Sequence, residues 1–530
     1  MVKAEPVNET HVMRKVVIDG STPFGFQRTA IVALNGEIKT RKKTIPIQTV
    51  CVEEDACRKT GEKDQVVHYR LDRLGAPLIE VVTAPVITSP EEAEQVALSL
   101  GRILRATGRV KRGIGTIRQD LNISIKGGAI SEIKGVQEIE LVSKIAKFEI
   151  QRQLNLLDIR DKIKARGIKK EDLLIDIQDV TEIFKGTKCK IFENSRKRGG
   201  KIMVVVLPKF EGILGIEIMP SVRFGTEISD YAKFWGGVRG MFHTDELPAF
   251  DITEHEIRKL RNFLRINKDD SVIIVADLEE NARNALTAAV ERVKTAILGV
   301  PKETRTACPD GTTRYSRPRP GAARMYPETD VPPVVITQNL LKQVQGNIPE
   351  FPEVKMARLI REHGLNEKLA NQVLNSEYCE VFEKISRKTR IPASIIAATL
   401  TETFKDMSRH EIDLDKLKKS TIEEIFDRVD AGIIAKEAIP EVITLMVKNR
   451  DAKIDEVISS LDMKMVSEAA QIKIVEKIVE ENVTLIQEKG TNAFGALMGI
   501  IMKDLRGKAD AKMISNILKE KIEEKRRKQK

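Results

Sequence analysis

Cysteine is scarce and scattered in this chain. Its 530 residues hold five (Cys51, Cys57, Cys189, Cys308, Cys379), with no Cys-x-x-Cys pair. That excludes a zinc knuckle or a disulfide framework and fits a reducing compartment. The six histidines (His11, His68, His243, His255, His363, His410) show no metal-ligand spacing. No run approaches the roughly 20 apolar residues of a membrane span. Met1-Val-Lys-Ala-Glu-Pro6 carries no apolar signal core. A cytoplasmic protein without membrane association is therefore expected. Gly113-Ile-Gly115 and Gly127-Gly128 form no Walker loop and read as turns. No fixed-period repeat and no long disordered tract is present.

What remains is a charged, soluble composition, 32% charged and 41% hydrophobic, sized for three or four domains. Net charge is +11, part of it concentrated in Arg196-Lys-Arg198 with Lys201 and in Lys525-Arg-Arg-Lys528 with Lys530. Such a balance is compatible with nucleic acid but does not require it, since a terminal basic run is also an ordinary solvated helix end.

The first 140 residues hold acidic and basic clusters in apolar surroundings: Glu53-Glu54-Asp55, Arg70-Leu-Asp-Arg73, Pro77-Leu-Ile-Glu80-Val-Val, Arg118-Gln-Asp120-Leu-Asn122 and Glu132-Ile-Lys134. A carboxylate in an apolar run is costly to bury without a cation or metal. Basic groups at the same level suit the phosphates that a hard metal accompanies. The pattern points to a Mg²⁺–nucleotide site. Arg118, Asp120 and Asn122 alternate along a probable strand and share one face, either a nucleotide floor or a solvated strand face. Lys134 reads as a phosphate-holding point charge or a surface ion pair.

These clusters resemble the catalytic cradle of the tRNA-dependent amidotransferases, the family of the bacterial B subunit and the archaeal E subunit. Phe24-Gly-Phe-Gln-Arg-Thr29, Glu53-Glu-Asp-Ala56, Leu74-Gly-Ala-Pro-Leu-Ile-Glu80, Ile117-Arg-Gln-Asp-Leu-Asn-Ile-Ser124 and Glu132-Ile-Lys134 follow in the family order. Glu303-Thr-Arg305, Tyr326-Pro-Glu-Thr-Asp330-Val-Pro-Pro333 and Gly495-Ala-Leu-Met-Gly499 with Gly507-Lys-Ala-Asp510 complete it. The resemblance implies Glu53 and Glu80 as carboxylates for Mg²⁺, with Glu54 as the alternative to Glu53. It implies Asp120 as a further catalytic residue, and Arg118, Asn122 and Lys134 as ATP-binding residues. The reaction implied is ATP-dependent conversion of Glu-tRNA(Gln) to Gln-tRNA(Gln) through a γ-phosphoryl-glutamyl intermediate. Ammonia would come from an asparaginase-like glutaminase partner, the D subunit, because no Ser/Lys or Thr/Asp/Lys array marks an amidase nucleophile here. The family opens with a Gly-Leu-Glu-Ile-His strand that this chain does not show, so poor turnover of the chain as written is expected. A catalytically inactive tRNA-binding scaffold is the alternative.

The fold expected is α+β. A sheet-rich cradle (1–175 and 299–336) is interrupted by an inserted α/β domain (176–298), followed by a helical domain (337–410) and a tRNA-binding tail (411–530). Arg223-Phe-Gly-Thr-Glu-Ile-Ser229 resembles the accessory domain of bacterial-type aspartyl-tRNA synthetases, an insertion found in the archaeal branch of the family. A short linker in place of 176–298 is expected to leave the host folded, and so is deletion of 411–530. Strands are expected at Lys15–Asp19, Thr29–Leu34, Ile123–Lys126, Ile202–Leu207 and Val272–Ala276. Ser89-Pro90-Glu91-Glu92 announces a helix that Gly108 stops. Trp235-Gly-Gly with Phe234 and Tyr231 is expected in a core, a base-stacking platform being the alternative.

Overall fold

The computed structural model describes residues 1–530 except 18–22, 41–42, 64–65, 112, 114, 320–323, 450–451, 462–465, 490–492, 506–507, 510 and 528–530. Ile18-Asp19, Gly507, Asp510, Lys528 and Lys530 thus lie outside the described residues. The chain forms two compact units, Met1–Pro349 and Glu350–Lys530. The first mixes sheets and helices and the second is helical, an α+β protein with an all-helical C-terminal part. No helix among the described residues is long and apolar enough to cross a membrane. All five cysteines are free thiols.

The first sheet is antiparallel. It is built from β1 (Met13–Val16), β2 (Phe26–Lys39), β3 (Thr44–Glu54) and β4 (Pro77–Thr83) in that order, with Met325–Pro327 outside β1 and Glu5–Pro6 on β2. Helix α1 (Pro90–Ala106) follows, and its start is written in the sequence. Ser89 Oγ accepts from the Glu92 N–H at 3.2 Å, Pro90 opens the first turn, and Gly108 at φ +66° ends the run. Side chains one residue apart on α1 serve two cores: Val96 packs with Ile38, Ile45 and Ile47 of the first sheet, Ala97 with Ile133 and Val136 of the second.

The second sheet begins with β5 (Gln119–Ile123) and β6 (Ser131–Val136), joined through a turn at Gly127, φ +80°. The strand expected at 123–126 therefore ends where it was expected to start, because the hairpin turn follows at once. Helix α2 (Ile139–Ala165) comes next. Its buried stripe passes through Glu149, Arg152 and Gln153 before resuming as Leu156, Ile159 and Ile163. Those three polar residues break the hydrophobic period by which a helix is recognised.

After α2 the chain enters a third, antiparallel sheet centred on β7 (Lys201–Leu207), with helix α3 (Phe224–Gly236), strand β8 (Ser271–Asp277) and helix α4 (Glu279–Ala296). Both faces are covered, so β7 reads as an unbroken apolar run: Met203 and Val205 face one core, Ile202 and Val204 the other. The chain then returns as β9 (Glu303–Ala307) and β10 (Thr313–Pro318). Strand β9 pairs parallel with β6 and antiparallel with β10, giving the order β10-β9-β6-β5.

In the second unit one core runs from Leu359 to Ile458 and a separate one from Val475 to Ile522. Leu400, Phe404 and Met407 pack with Ile422, Ile425 and Phe426, so a boundary at 410/411 passes through a core, and the change of core comes after Leu461. Truncation after Leu461 is expected to leave a folded protein whose thermal unfolding is cooperative. Truncation after His410 is expected to give an aggregating one, since it strips partners from that core. Circular dichroism and light scattering on the two truncations distinguish these outcomes; equal behaviour would place the boundary elsewhere.

Candidate active site on two polar sheet faces

Strand alternation decides which carboxylates meet. Cys51 lies opposite Glu80 across β3 and β4, and Glu53, two residues on, shares that face. Lys15 Nζ reaches Glu53 Oε1 at 2.8 Å, with Gln27 Nε2 at 3.5 Å from its other oxygen. Glu54 points to the opposite face, where Arg28 lies 3.3 Å away. Of the two adjacent glutamates, Glu53 is the one brought to Glu80. Glu54 instead lines a pocket of about 110 Å³ with Phe24, Phe26, Arg28, Leu74 and Gly75.

The second sheet supplies the rest. Lys134 Nζ bonds Asp120 Oδ2 at 3.0 Å and pairs with Glu132 Oε1 at 3.2 Å. Gly135 N–H donates to Asp120 Oδ1 at 3.3 Å, and Thr304 Oγ1 donates to Glu132 at 2.8 Å. Asn122 lies opposite Glu132 on the same strand face as Asp120. Arg118 stands one residue ahead of β5, and its guanidinium approaches Asp55 at 3.8 Å, a carboxylate that Arg73 also holds. Arg118 is therefore at the rim, beside Arg73 of the Arg70–Arg73 cluster.

The electrostatics link the two sheets. Glu80 keeps an edge in solvent, but partial desolvation by the surrounding sheet and the nearby Glu53 carboxylate push its pKa upward, Lys15 opposes them, and Asp120 and Lys134 also act on it. Burial alone would lower Lys134, but Asp120 and Glu132 hold its pKa above the ordinary lysine value. Burial would raise Glu132, yet Lys134 and the Thr304 hydroxyl hold it low. Four carboxylates (Glu53, Glu80, Asp120, Glu132) thus face two ammonium groups (Lys15, Lys134). Glu80 makes no ion pair and accepts no hydrogen bond among the described residues. The donor set is all oxygen with an excess of negative charge, which fits a hard divalent cation. Among the described residues no three His, Cys, Asp or Glu side chains group as a ready-made ion cage, so water and phosphate oxygens would complete a shell begun by Glu53 and Glu80.

Lys15, Gln27 and Thr304 were missed by sequence reasoning; Gln27 stood inside the Phe24–Thr29 motif, but its partner across the sheet is visible only from the register. Glu328 was quoted as a motif residue without a role. It is clamped by Arg14 and by Arg28 Nε at 2.6 Å, and the Arg14 bond holds its carboxyl far below the usual range. This clamp ties the return segment to β1 and β2.

A second charged cluster lies deeper and is wholly buried. Arg152 of α2 bonds Glu227 of α3 at 2.7 Å, Glu149 at 2.9 Å, and Glu303 of β9. Glu227 also takes Arg292 of α4 and lies 3.2 Å from Arg305 of β9. Tyr231 donates its hydroxyl to Glu303. The three carboxylates and three guanidiniums belong to the second sheet's strand β9, to α2, and to both helices of the third sheet's layer. Leu156, Ile159 and Ile163 of α2 extend the junction by packing into the same core as Met203, Val205 and Val293.

Comparison with known proteins agrees with this architecture. Residues 1–342 match the GatB/GatE catalytic domain and residues 380–522 match the GatB domain. The chain belongs to the GatB/GatE family. Among its relatives is the glutamyl-tRNA(Gln) amidotransferase E subunit of Methanocaldococcus jannaschii, 47% identical over 98% of this chain and 82% of that protein. Those of Aeropyrum pernix and Pyrococcus furiosus are 46% and 45% identical, over 98% and 94% of this chain and 81% and 79% of theirs.

Proposed function

We propose that this chain is the amide-forming component of a tRNA-dependent amidotransferase. It uses ATP to phosphorylate the γ-carboxylate of glutamate carried by tRNA(Gln), releasing ADP. Ammonia then attacks the acyl carbon, phosphate leaves, and Gln-tRNA(Gln) results. The observation that supports this most is the convergence of Glu53 and Glu80 with Asp120 and Lys134 inside the family's catalytic domain, in a chain whose relatives carry that name.

Phosphoryl transfer asks the protein mainly for positioning and charge neutralisation. Lys134, fixed between Asp120 and Glu132, offers a point charge to a phosphate oxygen. Asp120 keeps it there, with the Gly135 N–H as its own support. Asn122 offers an amide on the same floor, and Arg118 with Arg73 provides cations at the rim. Glu53 is neutralised by Lys15, while Glu80 keeps a free carboxylate. Mg²⁺ held by these two would neutralise phosphate charge. The ammonia source is a partner glutaminase, an asparaginase-like D subunit in a heterodimer, and residues 299–336 complete a cradle interrupted by 176–298.

The test supplies Glu-tRNA(Gln), ATP and Mg²⁺ with an ammonium salt in place of a glutaminase. Formation of Gln-tRNA(Gln) and ADP is expected, with no product when glutamine is the sole nitrogen source. Tight tRNA binding with neither product would favour the inactive scaffold.

A further inference from the structure

We propose that Phe234 and Trp235, at the end of α3, form a stacking surface for an unpaired base of a bound RNA. Neither ring is in a core, contrary to the expectation from sequence: Phe234 is 48% and Trp235 52% exposed. They meet edge to face at 5.1 Å between centroids. The platform beneath them is rigid. Phe234 packs on Tyr315 at 5.5 Å, Tyr315 stacks on Tyr231 at 3.7 Å, and Tyr231 is anchored to the buried Glu303. Gly236 lies so close to Ala285 of α4 that even a Cβ there would collide with backbone, which pins the helix end carrying the rings.

The charge around the pair selects the occupant. Lys233 and Arg314, each about two-fifths exposed, share the single carboxylate of Asp230 at 3.4 and 3.5 Å. Arg239, exposed just beyond the helix end, has no ion-pair partner among the described residues. Three cations stand against one carboxylate. Exposed aromatic rings beside a net excess of positive charge match a base with its flanking phosphates, the combination used in binding single-stranded nucleic acid. A protein surface complementary to it would have to be acidic. The inference rests on the reading that the chain acts on tRNA, but the site is separate from the carboxylate cluster.

Trp235 is the chain's one tryptophan, so its emission reports on this surface alone. Titration of the full chain with tRNA(Gln) transcript is expected to quench that emission saturably, with the midpoint found by gel shift. Trp235→Ala is expected to weaken gel-shift affinity at least about fivefold, the range of losing one base stack. Trp235→Phe keeps a ring and is expected to stay within about twofold. Arg239→Glu is expected to weaken binding and flatten its salt dependence. Saturating tRNA that binds by gel shift without moving the emission would overturn the proposal and leave the functional reading intact. So would an emission change seen only with the glutaminase partner, which would assign the surface to a protein interface. Absence of tRNA binding at any salt concentration would sink both.

Discussion

Glutamine in place of Glu53 or Glu80 is expected to cut ATP-dependent phosphorylation of Glu-tRNA(Gln) at least about 100-fold, the scale of losing one group that stabilises developing charge. The substitution preserves shape and removes charge. Glu80 reaches solvent on an open sheet face, and Glu53 trades one ammonium bond for a neutral one, so unfolding midpoints and tRNA affinity should hold. Glu54→Gln supplies the contrast. Its side chain faces the other way, toward Arg28, and phosphorylation is expected to stay within a few-fold of the parent. Radiolabel transfer from γ-labelled ATP to tRNA measures all three. A reversed order, with Glu54→Gln the damaging change, would move the proposed metal site to the opposite face of the first sheet.

Glu227→Gln is expected to destabilise the first unit by about 3–5 kcal/mol, the cost of removing one partner from a buried ionic cluster. Arg152, Arg292 and Arg305 all lean on that carboxylate. Denaturant unfolding monitored by circular dichroism would show the first transition moving, whereas Glu279→Gln, at an exposed pair, should leave it in place. The cluster also sets an acid dependence. Burial would raise the Glu227 pKa, but the three guanidiniums hold it far below its ordinary value. A depressed carboxyl contributes in full above its unfolded value of about 4.3 and loses that contribution progressively as pH falls from there through the folded value. The parent's first transition should therefore weaken steadily as pH falls below about 4, and the variant should lose that part of the pH dependence. The same cluster alters the expected fate of a chain without residues 176–298. Its host would keep Arg152 and Arg305 buried without Glu227, and Leu156, Ile159 and Ile163 without their core. Such a deletion is now expected to unfold the host.

How much was legible follows from how local each signal is. The α1 cap and the two-sided strands β7 and β8 are written within a few residues, and the structure places them there. The candidate site residues stood out as clusters because apolar runs framed them. Which of Glu53 and Glu54 faces Glu80 depends on register between β3 and β4, a pairing that no local pattern contains. Helix α2 was hidden because its middle buries ions in place of leucines. The aromatic pair was misplaced because composition alone says aromatics are inside, while exposure depends on what covers a helix end.

The parallel pairing of β6 with β9 has a kinetic side. Ser131 finds Glu303 across more than 170 residues of chain, so during synthesis the strand that orders Glu132 and Lys134 waits unpaired on one edge. Loop closure over such a span costs only slowly more with length, but contacts this distant slow the search. Synthesis proceeds from the N-terminus and domains tend to fold as units, so the third sheet's layer has time to fold before Glu303 emerges. Once folded it presents Glu227 and Arg292 at a fixed place, shortening the remaining search to a docking of one strand. Assembly of the polar face formed by β5 and β6 would then be a late, nearly all-or-none event.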